Sequence, residues 1–581
     1  MRKKNIIVGT ILKINEVLPQ KYKRKSLKML FLLFLNSIFE MIGLAAFLPL
    51  FSVILQPRAI QNHPVIGAIY QFLGFESEKS FILLLAGSII VAVIAKNFTS
   101  LLITRSQAKF SLSLYQYFAH RLHQLYYSKG FAFFKNTSSH TILRNINTIP
   151  SSFANQIVLS VFNLLTEVFI LVLILIGLML YNIFSVLLLA GTVLPVSIMV
   201  YRWVKERALS LEREVNSLTP KLTKDIFQSV NGYVDVEITN TQERFRERIF
   251  DKIGRIVQLN VKRIMYNAAP AKVTETGMVL AIFVITAYGL YFMPNNANLG
   301  TILGLFALAA YRILPSVNRI MTALISIKSY QYTFDIISQV KDFKPEKKQN
   351  EPISFNDKIN IRGLSFRFPD STKDVLSDIN LTITKGESIG IMGASGAGKT
   401  TLMNLLLGFW QPTQGEIYID NTLLTPDKLE AWRAYTGYVQ QDVYIIDASI
   451  AENVAFGLHQ EEIDFKRMEK VLRQASLWDF IQTLPDNIYT NIGERGAKLS
   501  GGQRQRVGIA RALYSGAEVL FFDEATSALD SQTEMEITES IRSLSDGNLT
   551  LVTIAHRQST LAYCSRIIEI EKGRLKIRND E

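Results

Sequence analysis

At residues 389–401 the chain reads Ile389-Gly390-Ile391-Met392-Gly393-Ala394-Ser395-Gly396-Ala397-Gly398-Lys399-Thr400-Thr401. An apolar strand pattern runs into a G-x-x-x-x-G-K-T loop, and a helical pattern follows from Leu402 to Leu407. This order is typical of a phosphate-binding loop, because the glycines let backbone N–H groups converge on phosphate oxygens and the helix N-terminus adds a favourable dipole. The alternative is a glycine-rich turn that holds no nucleotide.

A nucleotide in this loop would meet side chains of defined chemistry. We expect Lys399 to reach the β- and γ-phosphates and the Thr400 hydroxyl to bind Mg²⁺. A second apolar strand, at 519–522, ends in Asp523 and Glu524. A carboxylate at a strand end suits the Mg²⁺ contact, which predicts Asp523 as a metal ligand and Glu524 as the group that orients or deprotonates the attacking water. The predicted ATP-binding residues of the loop are Gly393, Ala394, Ser395, Gly396, Ala397, Gly398, Lys399, Thr400 and Thr401.

A third motif lies between these two. It reads Leu499-Ser500-Gly501-Gly502-Gln503-Arg504-Gln505-Arg506-Val507-Gly508-Ile509-Ala510-Arg511-Ala512. With this motif the chain resembles the ABC-transporter ATPase family, in which an exporter-type membrane domain precedes the ATPase domain, and the resemblance covers the whole chain. It implies a multidomain fold, with an all-α polytopic transmembrane domain of six helices followed by an α/β P-loop ATPase domain. It also implies ATP and Mg²⁺ as ligands, and ATP hydrolysis coupled to transport.

The resemblance carries further roles onto matching positions. Phe368, in the stretch S-F-R-F-P, matches the aromatic residue that stacks on adenine, for which the family more often has tyrosine. Gln441 matches the glutamine that senses Mg²⁺ and contacts the membrane domain. Gln440 replaces the usual preceding proline and competes with Gln441 for that role. His556 matches the switch histidine near the γ-phosphate, and Asp530 matches the loop that links two active sites.

In the family, the signature serine and glycines bind the γ-phosphate of ATP held by the opposite subunit. The physical reason is that a helix N-terminus offers unpaired N–H donors to an anion. One membrane domain and one ATPase domain therefore imply a half-transporter that works as a dimer. Because Glu524 and the signature are both intact, a homodimer is favoured over a heterodimer with a degenerate site. The predicted signature residues are Leu499, Ser500, Gly501, Gly502 and Gln503.

The first half of the chain has a different composition. Of the 581 residues, 48% are hydrophobic and 19% are charged, with a mean hydropathy of +0.18. Ordinary soluble domains carry about 25% charged residues. The single cysteine, Cys564, excludes a disulfide framework. Stretches near the bilayer-crossing length of about 20 residues occur six times, at roughly 28–55, 81–104, 156–180, 183–204, 273–293 and 299–325.

The boundary between the two halves is a polar stretch bracketed by prolines. Residues 344–353 carry charged and amide side chains between Pro345 and Pro352, a composition typical of a linker. The sequence therefore predicts a transmembrane domain with long cytoplasmic helix extensions at 1–343, a linker at 344–353 and an ATP-binding domain at 354–581.

Lysine and arginine are distributed unevenly between the loops. They are frequent in 1–27, 105–150 and 202–270, whereas 56–80 holds only Arg58 and Lys79. By the positive-inside rule both termini face the cytoplasm. This bias accounts for most of the formal net charge of +13, so we expect no nucleic-acid partner. The predicted location is a bacterial cytoplasmic membrane, which the chain crosses several times.

Cations within or beside the apolar stretches indicate the cargo. A central Arg or Lys costs at least ~2.5–3.5 kcal/mol on insertion scales, so it lines a cavity or finds a partner. One alternative is snorkelling, above all for Lys272 and Arg319, and another is pairing with Glu40, Glu167 or Glu275. The predicted substrate-cavity residues are Lys96, Lys272, Arg312 and Arg319.

An inward-facing cationic cavity suits an anionic headgroup from the cytoplasmic leaflet. Residues 311–320 (Y-R-I-L-P-S-V-N-R-I) and a segment at 60–75, predicted as an external amphipathic helix or a cap over the helix ends, resemble bacterial lipid-linked oligosaccharide flippases. The sequence therefore predicts ATP-driven outward flipping of an anionic lipid-linked oligosaccharide by a homodimer in contact with membrane lipids. Two alternatives stay open: an exporter of peptides, drugs or lipid A-type lipids, and an ATP-gated channel or regulatory subunit.

Overall fold

The chain divides into two compact units in a computed structural model, which describes residues 6–47, 49–50, 53, 64–75, 77–181, 183–292, 299–345, 351–525, 530–545, 549–555 and 557–577. The first unit contains Met1–Ser128 and Thr137–Pro345, and the second contains Lys129–Asn136 and Glu346–Glu581. The predicted limits 1–343, 344–353 and 354–581 stay a prediction. They do not anticipate one observed feature, the grouping of Lys129–Asn136 with the second unit.

The first unit is helical. Its longest helices coincide with the apolar stretches and with the charged segments that follow them. In chain order, and including the short helix α5 that groups with the second unit, the helices are α1 (Ile6–Val17), α2 (Gln20–Ala45), α3 (Pro64–Phe72), α4 (Glu78–Ser128), α5 (Gly130–Asn136), α6 (Ser139–Leu143), α7 (Ile149–Ser152), α8 (Leu159–Tyr181), α9 (Ile183–Asn231), α10 (Tyr233–Ile238), α11 (Gln242–Phe292), α12 (Leu299–Ser329) and α13 (Thr333–Ile337).

Several of these helices have the length and composition of membrane spans. Within the described ranges, three segments are long and apolar enough to cross a bilayer: Gln20–Gly43, Glu78–Ser128 and Ser139–Met179. The stretches predicted at 183–204, 273–293 and 299–325 lie largely in α9, α11 and α12. The helical character of the domain is therefore confirmed, and the count of six spans stays a prediction. The first stretch, predicted at 28–55, lies partly in α2, which ends at Ala45, and residues 48, 51–52 and 54–55 of that stretch lie outside the described residues.

The charged segments that the sequence predicts as helix extensions are helical. Helix α9 packs along α11, and pairs of opposite charge join the two beyond their apolar parts. Lys252 lies 2.5 Å from Asp225, and Arg255 lies 2.7 Å from Glu214. Helix α9 ends at Asn231, and the short helix α10 separates it from α11.

The second unit is built on two sheets. A four-stranded antiparallel sheet has the order β2-β1-β4-β5, and a six-stranded sheet has the order β10-β9-β3-β8-β7-β6. In the larger sheet β9, β3, β8, β7 and β6 run parallel, and β10 pairs antiparallel with β9. The strands are β1 (Lys358–Phe366), β2 (Leu376–Thr384), β3 (Ser388–Met392), β4 (Gln414–Ile419), β5 (Thr422–Leu423), β6 (Thr436–Val439), β7 (Val519–Asp523), β8 (Thr550–Ile554), β9 (Arg566–Glu571) and β10 (Arg574–Ile577).

Helices cover the larger sheet, and its central strands are buried on both faces. Along β7, Val519 and Phe521 belong to the core shared with the antiparallel sheet, whereas Leu520 and Phe522 belong to the core beneath the helices. This alternation explains why a parallel strand reads as one continuous apolar run. The helices of this unit after β3 are α14 (Lys399–Leu406), α15 (Leu429–Ala434), α16 (Ile450–Val454), α17 (Phe465–Gln474), α18 (Trp478–Gln482), α19 (Gly501–Tyr514) and α20 (Ser531–Ser545).

Candidate functional site

Parallel strands of the larger sheet end side by side. In the spatial order β3, β8, β7, β6, they end at Met392, Ile554, Asp523 and Val439. Because the carboxyl ends of parallel strands lie at one edge of a sheet, the segments that follow them meet there. These segments carry the phosphate-binding loop, the two acidic residues and the glutamine pair. His556 also follows β8 in the sequence, but it lies outside the described residues.

Three glycines of the loop, Gly393, Gly396 and Gly398, adopt backbone conformations that favour glycine. The φ angle is 150° at Gly393 and 109° at Gly398. A Cβ on Gly393 would lie 2.4 Å from the Ile570 carbonyl oxygen, and one on Gly398 would lie 2.7 Å from Leu376 Cδ2. Helix α14 begins directly after Gly398, so its first amide groups have no carbonyl partner within the helix. The loop therefore has the backbone geometry that binds an anion.

The lysine of the motif is held inside the loop. Lys399 is 5% exposed, and its Nζ donates to the carbonyl oxygens of Gly393 at 2.9 Å and Ala394 at 3.1 Å. An ammonium group has three N–H donors, so one donor remains for a phosphate oxygen. Of the other predicted loop residues, Ala394, Ser395, Gly396 and Thr400 are exposed, whereas Ala397 and Thr401 are half-buried.

Two oxygen ligands come together where β7 ends. Thr400 Oγ1 donates to Asp523 Oδ1 at 3.2 Å, and the Tyr438 hydroxyl donates to Asp523 Oδ2 at 3.1 Å. Burial raises the pKa of the Asp523 carboxyl, while the hydrogen bonds from Tyr438 and Thr400 act in the opposite direction. Burial, followed by the nearby Asp523 carboxylate, raises the pKa of the Tyr438 hydroxyl. Tyr438 therefore keeps its proton at neutral pH and orients the carboxylate as a donor.

This pair of oxygen ligands fits Mg²⁺. Mg²⁺ prefers hard oxygen ligands and is usually held by one or two protein groups together with substrate phosphates. In the part of the chain that the structure describes, no cluster of three or more His, Cys, Asp or Glu side chains could hold a metal ion. A divalent ion at Thr400 and Asp523 would take nucleotide phosphates and water among its remaining ligands.

The glutamine pair after β6 is fixed by a residue that the sequence analysis did not single out. Gln505, buried in α19, donates its Nε2 to the carbonyl oxygens of Gln441 at 2.6 Å and Gln440 at 3.2 Å. Gln505 therefore ties the backbone of this segment to the helix that follows the signature motif. The roles of Gln441 at Mg²⁺ and of Gln440 as its competitor stay predictions.

The predicted catalytic glutamate has an unusual backbone conformation. Asp523 still pairs with Ile554 in the sheet, but Glu524 has a φ of 50°, in the left-handed region. Its N–H donates to the Ile554 carbonyl oxygen at 3.1 Å. A non-glycine residue in this region is uncommon, and such strain concentrates at functional sites. The sheet holds Glu524 in this conformation immediately beyond the predicted metal ligand.

The signature motif forms the start of a helix. Ser500 caps α19: its Oγ accepts from the Gln503 N–H at 3.2 Å, and Gln503 Oε1 accepts from the Ser500 N–H at 2.8 Å. This capping box fixes the first turn, and Leu499 before it is buried. Gly502 packs so closely on the neighbouring helix that a Cβ there would lie 2.3 Å from Thr533 Cγ2.

Thr533 also joins the signature helix to the predicted linking loop. Its N–H donates to Asp530 Oδ1 at 3.0 Å and its hydroxyl donates to Asp530 Oδ2 at 2.7 Å. These two hydrogen bonds lower the pKa of the exposed Asp530 carboxyl. One threonine therefore contacts both Asp530 and the signature glycine Gly502, which places these two predicted site residues against the same turn of α20.

A buried glutamate joins the same helix to the segment after His556. Glu534 is 8% exposed. Its carboxylate accepts from Arg557 Nη1 and, at 2.7 Å, from the Thr560 hydroxyl. The sequence analysis did not identify Glu534, because an acidic residue inside a helix carries no local signal of a distant partner.

We expect Glu534→Gln to lower the ATP turnover rate about tenfold, while ATP binds with unchanged affinity. Hydrogen bonds to a charged group are worth about 1.5–3 kcal/mol, and their loss loosens the segment of Arg557 and Thr560, which follows the predicted switch histidine in the sequence. ATPase kinetics and binding of a fluorescent ATP analogue test this expectation. Glu539→Gln is the control, because Glu539 lies on the same helix in an exposed pair with Arg542. Turnover equal to that of the control would contradict the expectation.

The predicted adenine-stacking residue belongs to an aromatic cluster. Phe368 lies edge-on to Phe366 at 5.0 Å and to Trp410 at 5.5 Å between ring centroids. Phe366 pairs with Leu376, the residue that contacts the Gly398 position. This strand register places the end of β1, which carries Phe366, next to the phosphate-binding loop. Phe368 is half-buried, and its role in stacking on adenine stays a prediction.

The predicted cavity cations are paired with carboxylates. Lys96 Nζ lies 3.2 Å from Glu40 Oε2, and Arg312 Nε lies 3.4 Å from the same oxygen. Arg312 Nη1 also lies 3.2 Å from Glu167 Oε2, and Arg319 Nη1 lies 2.7 Å from Glu167 Oε1. The structure thus contains the pairing that the sequence analysis weighed against a cavity. Three cations and two carboxylates leave this network with one net positive charge.

The fourth predicted cation lies in a different setting. Lys272 Nζ is 3.3 Å from Glu275 Oε2, three residues later on α11, and both side chains are largely exposed. Exposed pairs of this kind contribute little to stability. Lys272 belongs to a local pair, and its assignment to a substrate cavity stays a prediction.

Comparisons with known proteins agree with this arrangement. The family profile described as "ABC transporter" matches residues 376–527. The ATP-dependent lipid A-core flippase of Bordetella avium is 33% identical over 411 residues, which cover 69% of this chain and 68% of that one. The flippase of the same name from Alkalilimnicola ehrlichii is 32% identical over 76% of this chain and 75% of its own. A solved bacterial Atm1-family ABC exporter with ATP bound has a TM-score of 0.71 at 21% identity, covering 95% of this chain and 94% of that one.

A helical membrane domain joined to a P-loop domain with a signature helix defines an ATPase that drives transmembrane transport. The chain belongs to the ABC transporter family, as an exporter-type half-transporter. The resemblance found from its sequence motifs is thereby confirmed.

Proposed function

We propose that this chain works as a homodimer in a bacterial cytoplasmic membrane and flips a phosphorylated lipid A-type glycolipid to the outer leaflet. Membership of the family gives the coupling of ATP hydrolysis to transport. The homodimer, the direction and the cargo are the proposal. The observation that carries it is the network of Lys96, Arg312 and Arg319, which brings a net positive charge into apolar helices of a chain whose relatives are named lipid A-core flippases.

The ATPase unit supplies the residues for nucleotide binding and hydrolysis. Thr400, Asp523 and Gln441 would hold Mg²⁺, which screens the negative charge of the phosphates when it is bound. Lys399 donates to the phosphates, and Glu524 accepts a proton from the attacking water. His556 would act near the γ-phosphate, and Phe368 would stack on adenine. The hydrogen bonds of Asp523 and Lys399 described above support these assignments.

Two features support a dimer. The signature helix α19 begins at Gly501, and a helix N-terminus offers an anion amide groups that have no carbonyl partner within the helix. The turn between α9 and α11 also exposes a group of large apolar side chains, a type of surface that marks a protein interaction site. The exposed residues are Phe227, Val230, Tyr233, Val234 and Ile238. A homodimer is favoured because Glu524 and the signature are both present.

Alternating access would link hydrolysis to transport. ATP bound between two ATPase units favours their closed arrangement, and differential binding of ATP to two states shifts the population of membrane-helix conformations. The Lys and Arg bias of the loops supports cytoplasmic termini, so ATP is bound on the cytoplasmic side. In this orientation, cargo enters from the inner leaflet and leaves towards the outer leaflet.

The cargo proposal differs from the sequence-based prediction in one respect. The sequence predicts a lipid-linked oligosaccharide, with lipid A-type lipids as an alternative, whereas the named relatives are lipid A-core flippases. We favour the lipid A-type cargo on that ground. In either case Arg and Lys side chains suit phosphate oxygens, because a guanidinium binds phosphate through paired N–H donors.

A flipping assay in liposomes tests the cargo. The panel contains lipid A-core, a polyprenyl-pyrophosphate glycan, a peptide and a neutral dye. We expect ATP-dependent flipping of lipid A-core and none of the neutral dye. Flipping of the polyprenyl glycan alone would restore the sequence-based prediction, and dye transport alone would indicate a drug exporter. Passive flux that persists without ATP would indicate a channel.

We expect Arg319→Ala to reduce the stimulation of ATPase activity by lipid A-core at least tenfold. The Arg319 side chain is 59% exposed, whereas Arg312 is 14% exposed and bridges two carboxylates. Loss of a charge-assisted contact of about 1.5–3 kcal/mol weakens cargo binding. Arg312→Ala instead leaves the buried Glu167 and the partly exposed Glu40 short of a partner, so we expect it to destabilise the fold.

ATPase titration with lipid A-core in nanodiscs measures the effect of Arg319→Ala. Arg246→Ala is the matched control, since Arg246 pairs with Glu243 on an exposed helix surface. Stimulation that equals the control would remove Arg319 from the cargo site.

A further inference from the structure

Glu167 is the acidic centre of the membrane network. Its carboxylate accepts from the Ser316 hydroxyl at 2.7 Å, from Arg312 Nη1 at 3.2 Å and from Arg319 Nη1 at 2.7 Å. These three donors lie on one face of α12, spaced by four and three residues, and Glu167 lies on α8. The Glu167 side chain is 4% exposed. A single carboxylate therefore connects α8 to three positions of α12.

The network is graded in exposure. The Glu167 side chain is buried, Arg312 and Glu40 are 14% and 15% exposed, and Lys96 is 22% exposed. Arg319 is 59% exposed. Arg319 is therefore the cation of this network that an approaching anion contacts first. Its guanidinium is already paired with the Glu167 carboxylate.

We propose that Glu167 competes with the cargo phosphate for Arg319. The Glu167 carboxylate pairs with Arg319 until a cargo phosphate displaces the carboxylate, and the pair forms again when the cargo dissociates. This inference deepens the proposed function and rests on it. The ligand class is a phosphate monoester or pyrophosphate on an amphiphile. Glu167 acts through Arg319 and is a positioning residue that determines specificity.

Such competition has a simple energetic consequence. A site whose binding-competent state is populated for a fraction of the time binds its ligand more weakly by that fraction. If Glu167 holds Arg319 for about nine-tenths of the time, the cargo binds about tenfold more weakly than it would to the released arginine. A phosphate carries more negative charge than one carboxylate and accepts paired N–H donors, so it can displace the Glu167 carboxylate from Arg319. A neutral amphiphile cannot.

The exchange also favours release. A flippase must release an anionic headgroup at the end of each cycle, and two arginines without a competing carboxylate would retain it. A carboxylate 2.7 Å from Arg319 offers an immediate replacement for the departing phosphate. Competition for one guanidinium therefore weakens binding and speeds turnover at once.

Glu167→Gln tests the proposal with little disturbance of the fold. The amide oxygen of glutamine can still accept from Ser316, and Arg312 keeps the Glu40 carboxylate at 3.4 Å. The variant removes the charge that holds Arg319. We expect lipid A-core to bind about tenfold more tightly to Glu167→Gln in nanodiscs, and its maximal flipping rate to fall. Tighter binding accompanied by slower flipping is a result that mere loosening of the helices would not produce.

Three further measurements test whether the gain in affinity acts through Arg319 and the cargo phosphate. Adding Arg319→Ala to Glu167→Gln should abolish the gain in affinity, because the gain acts through Arg319. Chemically dephosphorylated lipid A-core should show no gain. Inorganic pyrophosphate should compete with the lipid if the headgroup phosphate alone supplies the contact, and competition should strengthen in Glu167→Gln. Glu243→Gln is the control, since it removes a carboxylate from an exposed pair of the same unit.

Unchanged or weaker lipid binding by folded Glu167→Gln would overturn the proposal. If that variant has a lowered melting temperature, Glu167→Asp replaces it, because the shorter side chain keeps the charge and draws it away from Arg319. We then expect a smaller gain in the same direction, and no gain would overturn the proposal. Absence of saturable lipid A-core binding by the unaltered protein would instead refute the proposed cargo, so the two failures are distinguishable.

Discussion

Glu524→Gln is expected to slow ATP hydrolysis by about 10²–10⁴-fold, the usual contribution of a general base, while ATP still binds. The sheet holds Glu524 directly beyond Asp523 with a φ of 50°, so glutamine can take the same backbone conformation without the charge that accepts a proton. Phosphate release under saturating ATP measures turnover, and a fluorescent ATP analogue measures binding.

The same variant also tests the dimer. With hydrolysis blocked, ATP should accumulate between two subunits, so we expect a stable ATP-bound dimer in size-exclusion chromatography or native mass spectrometry. Glu539→Gln is the control, because Glu539 lies on α20 in an exposed pair with Arg542. Turnover within twofold of this control would show that another group acts as the base.

Lys399→Ala is expected to weaken ATP binding by about 100-fold, which corresponds to the loss of one or two charge-assisted hydrogen bonds of about 1.5–3 kcal/mol each. The effect is large because the ammonium group is buried in the loop and bridges the carbonyl oxygens of Gly393 and Ala394. Its removal takes away both a phosphate ligand and the group that holds the loop closed. Equilibrium binding of a fluorescent ATP analogue measures the change.

A charge control separates this local effect from a change in net charge. Lys576→Ala removes one positive charge from an exposed pair with Glu571 and should leave the affinity for ATP unchanged. Tight ATP binding by Lys399→Ala would overturn the assignment of 393–401 as the phosphate-binding loop.

The ATPase motifs could be predicted because each depends on local backbone geometry. Gly393 and Gly398 occupy conformations that exclude other side chains, and Ser500 with Gln503 forms a capping box within one helical turn. Each of these requirements involves residues that are close together in the sequence. Their assembly at one sheet edge follows from parallel strand order, which the apolar runs at β3 and β7 indicate.

The supporting residues of the site could not be predicted in the same way. Tyr438, Gln505 and Glu534 contact Asp523, the Gln441 backbone and Arg557 through the tertiary fold, 85, 64 and 23 residues away in sequence. No spacing rule connects such distant pairs. For the membrane cations the sequence indicated Glu40, Glu167 and Glu275 as candidate partners, but only helix packing determines which cation pairs with which carboxylate.

The short helix Gly130–Asn136 has a practical consequence for anyone who expresses the ATPase half alone. Phe131 stacks on Phe409 with ring centroids 5.0 Å apart, meets Trp410 edge-on at 5.8 Å, and is followed by Lys135 over the Phe368 ring at 5.6 Å. An ATPase fragment that begins at the linker lacks this helix, so the rings of Phe409, Trp410 and Phe368 would lose these contacts. We expect such a fragment to self-associate. Grafting residues 129–136 back through a flexible tether should restore a soluble, monodisperse fragment.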